Sequence, residues 1–207
     1  ALKQAQKLGY AEANPATDVD GIDTWHKVIL SANVAFGISL DKTTVPVSGI
    51  RNISAADVDC FKAHGKVCKL ISTAKRTEDG FSAYVQPTLV AAGSPEGAVP
   101  LNYNLITFIG QTSERMSFYG QGAGRYPTAY NVVQDLVDVT QGKSFYAPYG
   151  APQAADNHEA HRYYVRGDWE GSIQEDWSTG VITAPVPVSQ MHQWVKDHPD
   201  AFIAGVD

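Results

Sequence analysis

Gly9-Tyr10-Ala11-Glu12-Ala13-Asn14-Pro15-Ala16-Thr17-Asp18-Val19-Asp20-Gly21-Ile22-Asp23-Thr24-Trp25-His26-Lys27 sets a turn rich in Asn, Pro, Asp and Gly against an apolar helical run, Val28 to Phe36. Four carboxylates, Glu12, Asp18, Asp20 and Asp23, stand near one lysine, Lys27. Asp23 and Lys27 are four apart, so a helix puts them on one face, acid N-terminal to base, the favourable order. Two readings of this chemistry stay open. In one, Asp18 or Asp20 caps the helix and Asp23–Lys27 is a surface ion pair stabilising it by roughly 0.3–0.5 kcal/mol. In the other, the turn displays reactive groups on a rigid base.

Working outward, residues 1–8 read as a short helix and 9–21 as a loop. A helix is predicted over Ile22–Ile38, because Ile22, Trp25, Ile29 and Ala32 recur near a 3.6 period. Thr44–Val47 reads as a short strand. Ser54-Ala55-Ala56-Asp57 resembles a capping box with Asp in place of Glu, opening a helix to His64 that Gly65 stops. Lys66–Ala74 and Ala83–Leu89 read as strands joined at Glu78-Asp79-Gly80. Leu105–Ile109 and Arg115–Tyr119 form a second hairpin, and Pro127 lies in the first turn of a helix reaching Thr140. The pattern predicts an α+β fold, a mixed and largely antiparallel sheet with helices packed on one face.

From Gln141 the texture changes. A loop-like linker leads to strands at His161–Arg166 and Val181–Val186, a helix at Ser189–Lys196 and a strand at Ala201–Val206. The chain therefore divides at 1–142 and 143–207, the second part a small α/β appendage. His192 and His198 flank its helix and are expected to face solvent. Trp169, Trp177 and Trp194, with Tyr163 and Tyr164, supply its packing.

The 207 residues are 43% hydrophobic and 18% charged, enough to bury a core. A net charge of −6 offers no basic stripe for nucleic acid. No apolar stretch is long enough to span a membrane, and no signal peptide is evident. Cys60 and Cys68 read as reduced thiols, so the cytoplasm is the expected compartment. No metal is expected, because His158 and His161, with Glu159 between them, lie in a linker without a further well-spaced ligand. Ala1 to Leu8 reads as a helix already in progress, so the chain reads as a piece of a longer protein.

The run Gly-Tyr-Ala-Glu-x-x-Pro-x-x-Asp-Val-x-Gly-x-Asp-x-x-x-Lys, residues 9–27, resembles the substrate-domain signature of homoserine dehydrogenases. A second segment supports the same family. Gly120-Gln121-Gly122-Ala123-Gly124-Arg125-Tyr126-Pro127-Thr128-Ala129 resembles its late Gly-x-Gly-Ala-Gly-x-x-Pro-Thr-Ala stretch. Gly49-Ile50 and Lys69-Leu70-Ile71 also fit, and the resemblance covers residues 1–142. Asn14 stands where the family commonly has Asp, and Gln121 where it commonly has Pro.

The resemblance implies the substrate-binding, catalytic and dimer-forming part of an NAD(P)-dependent enzyme that interconverts aspartate 4-semialdehyde and homoserine, in threonine and methionine biosynthesis. It implies Lys27 as the catalytic lysine and Asp23 as its neighbour at the reacting oxygen. Glu12 and Asp18 become substrate-binding carboxylates, Glu12 toward the amino group, with Tyr10 beside them. Gly122, Gly124 and Thr128 become cofactor contacts. The cofactor itself would be held mainly by a Rossmann domain that precedes this sequence in the family, so the piece alone is expected to be inactive. A homodimer is the implied assembly. Residues 143–207 stand where many members carry a regulatory ACT domain and read as a degenerate piece of one. Two other functions stay open, a small-molecule-binding or regulatory module and a reductase of another amino-acid aldehyde.

Overall fold

In the computed structural model of the chain, residues 6–7, 14–78, 80–143 and 150–206 are described. The expected helix over 1–8 falls mostly outside them, with Gln6 and Lys7 helical. In chain order the elements are α1 (Ala16–Val19), α2 (Ile22–Phe36), β1 (Ser39–Leu40), α3 (Ala55–Ala63), β2 (Lys66–Arg76) and β3 (Phe81–Ala91). Then come β4 (Tyr103–Gly110), β5 (Glu114–Gln121), α4 (Arg125–Thr140), β6 (Pro152–Gln153) and β7 (Ala160–Arg166). The last are β8 (Ile173–Asp176), β9 (Val181–Thr183), β10 (Val186–Pro187), α5 (Val188–Asp197) and β11 (Phe202–Val206). The α+β class holds, with helices on both faces of the main sheet where one face was expected. The chain folds as two compact units, Ala1–Asn14 with Ala98–Ala147, and Pro15–Gly97 with Pro148–Asp207.

The larger unit is built on one sheet, ordered β2-β3-β11-β7-β9-β8, with β10 paired to β7. β2 and β3 pair antiparallel from Lys66↔Ala91 to Arg76↔Phe81. β11 lies parallel to β3 and antiparallel to β7. Strand alternation sorts the helices. On one face, Phe81, Ala83 and Val85 of β3 pack with Val28 and Ala32 of α2. On that same face Leu89, Tyr164, Ile182, Phe202 and Ala204 pack with Phe61 of α3. The other face presents Tyr163, Val165 and Ile203 to Met191 of α5.

Local chemistry sets the boundaries. α2 stops at Phe36, two residues short of the expected Ile38, because Gly37 turns left-handed (φ 66°). Its N-cap is Gly21, also left-handed (φ 81°) and without a side-chain cap, so neither Asp18 nor Asp20 caps it. The Ser54 capping box forms as read, with Ser54 Oγ accepting from the Asp57 amide and Asp57 Oδ2 from the Ser54 amide at 3.1 and 2.8 Å. Thr44–Val47 is not a strand. A 3-10 turn occupies Lys42–Thr44, and Val47 makes an isolated parallel bridge to Val85. The strand expected over Val181–Val186 breaks into β9 and β10 at Ala184-Pro185, where proline lacks a ladder N–H.

His192 overturns its expectation. It is 2% exposed, and Ser48 Oγ lies 3.0 Å from Nδ1 and Gln86 Oε1 3.1 Å from Nε2. Burial, aided by the Lys196 charge, pushes its pKa down to about 4, so it sits neutral in the core. His198 is half-buried and stacks on Trp194. The two cysteines are free, and burial pushes the Cys68 thiol up to about 12.

In the smaller unit, β4 and β5 form an antiparallel hairpin from Tyr103↔Gln121 to Gly110↔Glu114. The Asn102 side chain donates to the Ala123 carbonyl at 2.7 Å, bracing the glycine loop that leads into α4. Phe118, Tyr119, Met116, Tyr130 and Leu136 are all exposed on this unit.

Candidate active site

The acidic stretch lies on α1 and the first turns of α2. The Pro15 carbonyl accepts from the Asp18 and Val19 amides at 3.1 and 2.8 Å. The single turn Ala16–Val19 follows, with Asp18 exposed upon it. Gly21 then reverses the chain into α2. A β-carbon there would press on Val47 Cγ2 at 3.0 Å, so both conformation and space favour glycine.

On α2, Lys27 Nζ meets Asp23 Oδ2 at 2.8 Å. Their side chains remain 56% and 44% exposed, so the pair is open to a ligand. The buried stripe of Val28 and Ala32 on the opposite side anchors the helix. The pair therefore projects from a fixed backbone, as a positioned proton donor requires.

A neighbouring segment braces the turn from outside. Arg51 grips Asp20 with two hydrogen bonds, Nε to Oδ1 at 2.8 Å and Nη2 to Oδ2 at 2.7 Å. Arg51's hydrogen bond and charge outweigh burial and hold the Asp20 carboxyl below its ordinary value. The Ile50 amide donates to the Val19 carbonyl at 2.8 Å. Gly49 passes so close that a β-carbon would overlap the Val19 carbonyl oxygen and press on Asp20 Cα at 2.6 Å. Gly49→Ala is thus expected to destabilise the fold by about 1–3 kcal/mol, the usual range for overpacking, read as a lower denaturant midpoint at unchanged slope.

Of the sequence-predicted residues the structure pairs Asp23 with Lys27, and Asp18 stands exposed on the turn before their helix. Tyr10 and Glu12 lie outside the described residues. Gly122, Gly124 and Thr128 belong to the smaller unit. There Gly124 (φ 121°) is the N-cap of α4 without a side-chain cap, and the Thr128 amide donates to its carbonyl at 3.1 Å. A β-carbon on Gly122 would collide with the Asn104 side chain. The loop is thus bare backbone running into a helix N-terminus, which fits a ligand group that accepts hydrogen bonds. Sequence reasoning missed Arg51, although the adjacent Gly49-Ile50 match was a signal. Among the described residues, no three His, Cys, Asp or Glu come together to hold a metal, and no helix is long and apolar enough to cross a membrane.

The profile of the family described as Homoserine dehydrogenase matches residues 1–137. Homoserine dehydrogenase of Pseudomonas aeruginosa is 42% identical over 140 residues, 68% of this chain and 32% of that protein. The Lactococcus lactis enzyme is 36% identical over 190 residues, 87% of this chain and 43% of that protein. Among solved structures, a homoserine dehydrogenase from Thiobacillus denitrificans matches with a TM-score of 0.76 at 27% identity, covering 100% of this chain and 57% of that one. The chain thus spans about a third of the Pseudomonas relative's length. The family profile stops before β6, whereas the Thiobacillus likeness includes the C-terminal strands.

Proposed function

The chain belongs to the homoserine dehydrogenase family, and on that footing we propose that it is the substrate-binding catalytic part of an NAD(P)-dependent enzyme interconverting aspartate 4-semialdehyde and homoserine. The observation that carries this reading is the Lys27–Asp23 pair, held at 2.8 Å and open to ligand at the positions where the family signature has its acid and its lysine. A bound reduced nicotinamide supplies the hydride. The chain's own residues manage the proton and the substrate. As the aldehyde carbon is reduced, negative charge grows on its oxygen, and the Lys27 ammonium donates the proton that quenches it. Asp23 orients that ammonium. Asp18 and Glu12 bind the substrate, Glu12 at its amino group, with Tyr10 beside them.

Gly122, Gly124 and Thr128 would hold the cofactor's near edge through backbone amides, with the greater part of the cofactor bound by a Rossmann domain outside this sequence. Residues 1–142 form the catalytic and dimer-forming part. The exposed apolar residues of the smaller unit support a homodimer, because a patch of that kind calls for a partner surface. For residues 143–207 we favour the degenerate ACT-like reading. The antiparallel order β11-β7-β9-β8 is that of a βαββαβ unit, with a loop at 167–172 in place of the first helix. On this reading the enzyme works in the cytoplasm, on the route to threonine and methionine.

Substrate profiling of the full-length protein tests this assignment. Aspartate 4-semialdehyde should be reduced to homoserine, and Glu12→Gln should raise KM for it on the order of tenfold or more, as for a lost charge-assisted contact. Succinate semialdehyde, which has no amino group, should be a poor substrate that Glu12→Gln leaves unchanged. Equal use of both aldehydes by the wild type would contradict the role of Glu12.

A further inference from the structure

The C-terminal strands share a sheet with β2 and β3, on which α2 packs, and one short stretch touches both sides. Val47 bridges β3, and the Ser48 amide donates to the Val85 carbonyl at 2.8 Å. From there, Gly49, Ile50 and Arg51 lie on the acidic turn, through backbone contact with Val19, the Ile50 amide and the Arg51–Asp20 grip. The same stretch is held from the C-terminal side at both ends. Ser48 Oγ lies 3.0 Å from the buried His192 of α5. The Asn52 side chain donates to the carbonyls of Pro199 and Ala201 at 2.7 and 3.0 Å, at the corner between α5 and β11. Arg166 of β7 donates to the Asn52 carbonyl at 2.5 Å.

We infer that Val47–Asn52 is a positioning strap through which the C-terminal segment holds the single turn bearing Asp18, with Arg51 and Asn52 as positioning residues. The catalytic half of this inference rests on the function proposed above, and the mechanical half does not. The physical argument is one of constraint. The turn is a single helical turn with no buried residue, followed by a helix without a side-chain cap. Such a segment has little stability of its own and takes its geometry from what is bolted to it. The bolts on one side are the strap's. The strap is held at its start by β3 and along its length by groups more than 100 residues away in sequence, so the C-terminal segment shares in setting the carboxylate geometry without touching substrate.

Asn52→Ala isolates the coupling, because among the described residues the hydrogen bonds of its side-chain amide go to the C-terminal corner. In the full-length protein, hydrogen exchange of amides in residues 18–25 should accelerate by about threefold or more, while exchange in α4 stays unchanged. KM for aspartate 4-semialdehyde should rise about tenfold with kcat within about twofold, the signature of a displaced binding group rather than a lost catalyst. Arg51→Ala guards against misfolding of the first variant. Its ion pair is half exposed at the surface, so the protein should stay folded while KM rises, with Arg51→Lys restoring part of the affinity. Unchanged exchange in residues 18–25 for folded Asn52→Ala overturns the strap. Faster exchange in a wild-type background that reduces no semialdehyde upholds the strap and removes the catalytic reading instead.

Discussion

Lys27→Ala in the full-length protein is expected to lower kcat for semialdehyde reduction by on the order of a hundredfold or more, with KM changed little, as for removal of a general acid. The alternative cause of such a loss is unfolding, and magnitudes separate the two. The Lys27–Asp23 pair is half exposed on a helix surface, where an i,i+4 pair contributes roughly 0.3–0.5 kcal/mol. Removing it leaves the anchoring stripe of Val28 and Ala32 untouched. The thermal midpoint should therefore barely move while turnover collapses. A variant that loses both together would report a structural lysine, and one that keeps both would leave the acidic turn as an ornament of the helix start.

Asp57→Ala is expected to produce the opposite pattern, a large loss of stability from a residue far from proton chemistry. Asp57 is wholly buried, caps α3 through Ser54, accepts from Tyr164 Oη at 2.7 Å and receives Arg166 Nε at 3.1 Å. Truncation takes one of two partners from the Tyr164 hydroxyl, leaving Thr179 Oγ1 at 2.8 Å, and deprives Arg166 of its carboxylate. With Arg166 a third exposed, the cost is about 3 kcal/mol, the low end for a broken buried pair. Burial pushes the Asp57 carboxyl up, but the hydrogen bonds from Tyr164 and Ser54 and the Arg166 charge outweigh it, so its pKa is lowered on folding. A lowered carboxylate means the unfolded chain binds the proton more readily. Stability from this site is therefore complete above the unfolded value, about 3.9, and is lost as pH falls through the folded one. Denaturant unfolding between neutral pH and pH about 3 should show that decline, and Asp57→Asn should flatten part of it. Glu159 adds to the same trend, because hydrogen bonds from Lys75 and Ser82 overcome its burial.

Where the determinants were local, the sequence was readable. Ser54 and Asp57 lie three apart, and the capping box they spell forms as read. Gly37 and Gly65 end their helices, and the β4–β5 hairpin brackets the expected strands. Asp23 and Lys27 meet because a helix brings i and i+4 together. The misses have distant partners. His192 looked like a surface residue of an amphipathic helix, yet Ser48 and Gln86, which satisfy its ring, lie 144 and 106 residues away. β1 and β6 are two residues each and pair in parallel across the chain, with no periodicity to reveal them. Arg51 was passed over because its partner Asp20 is 31 residues distant. An acidic residue before a helix suggested a cap, but the left-handed Gly21 took that position and left Asp20 for Arg51.

The measurement that bears most directly on the central claim is product-identified turnover of the full-length wild-type protein, supplied with aspartate 4-semialdehyde and reduced NAD or NADP. Homoserine formed mole for mole with cofactor oxidised, and no oxidation without the aldehyde, is the predicted result. A folded protein that binds the cofactor and leaves the aldehyde unreduced would contradict it.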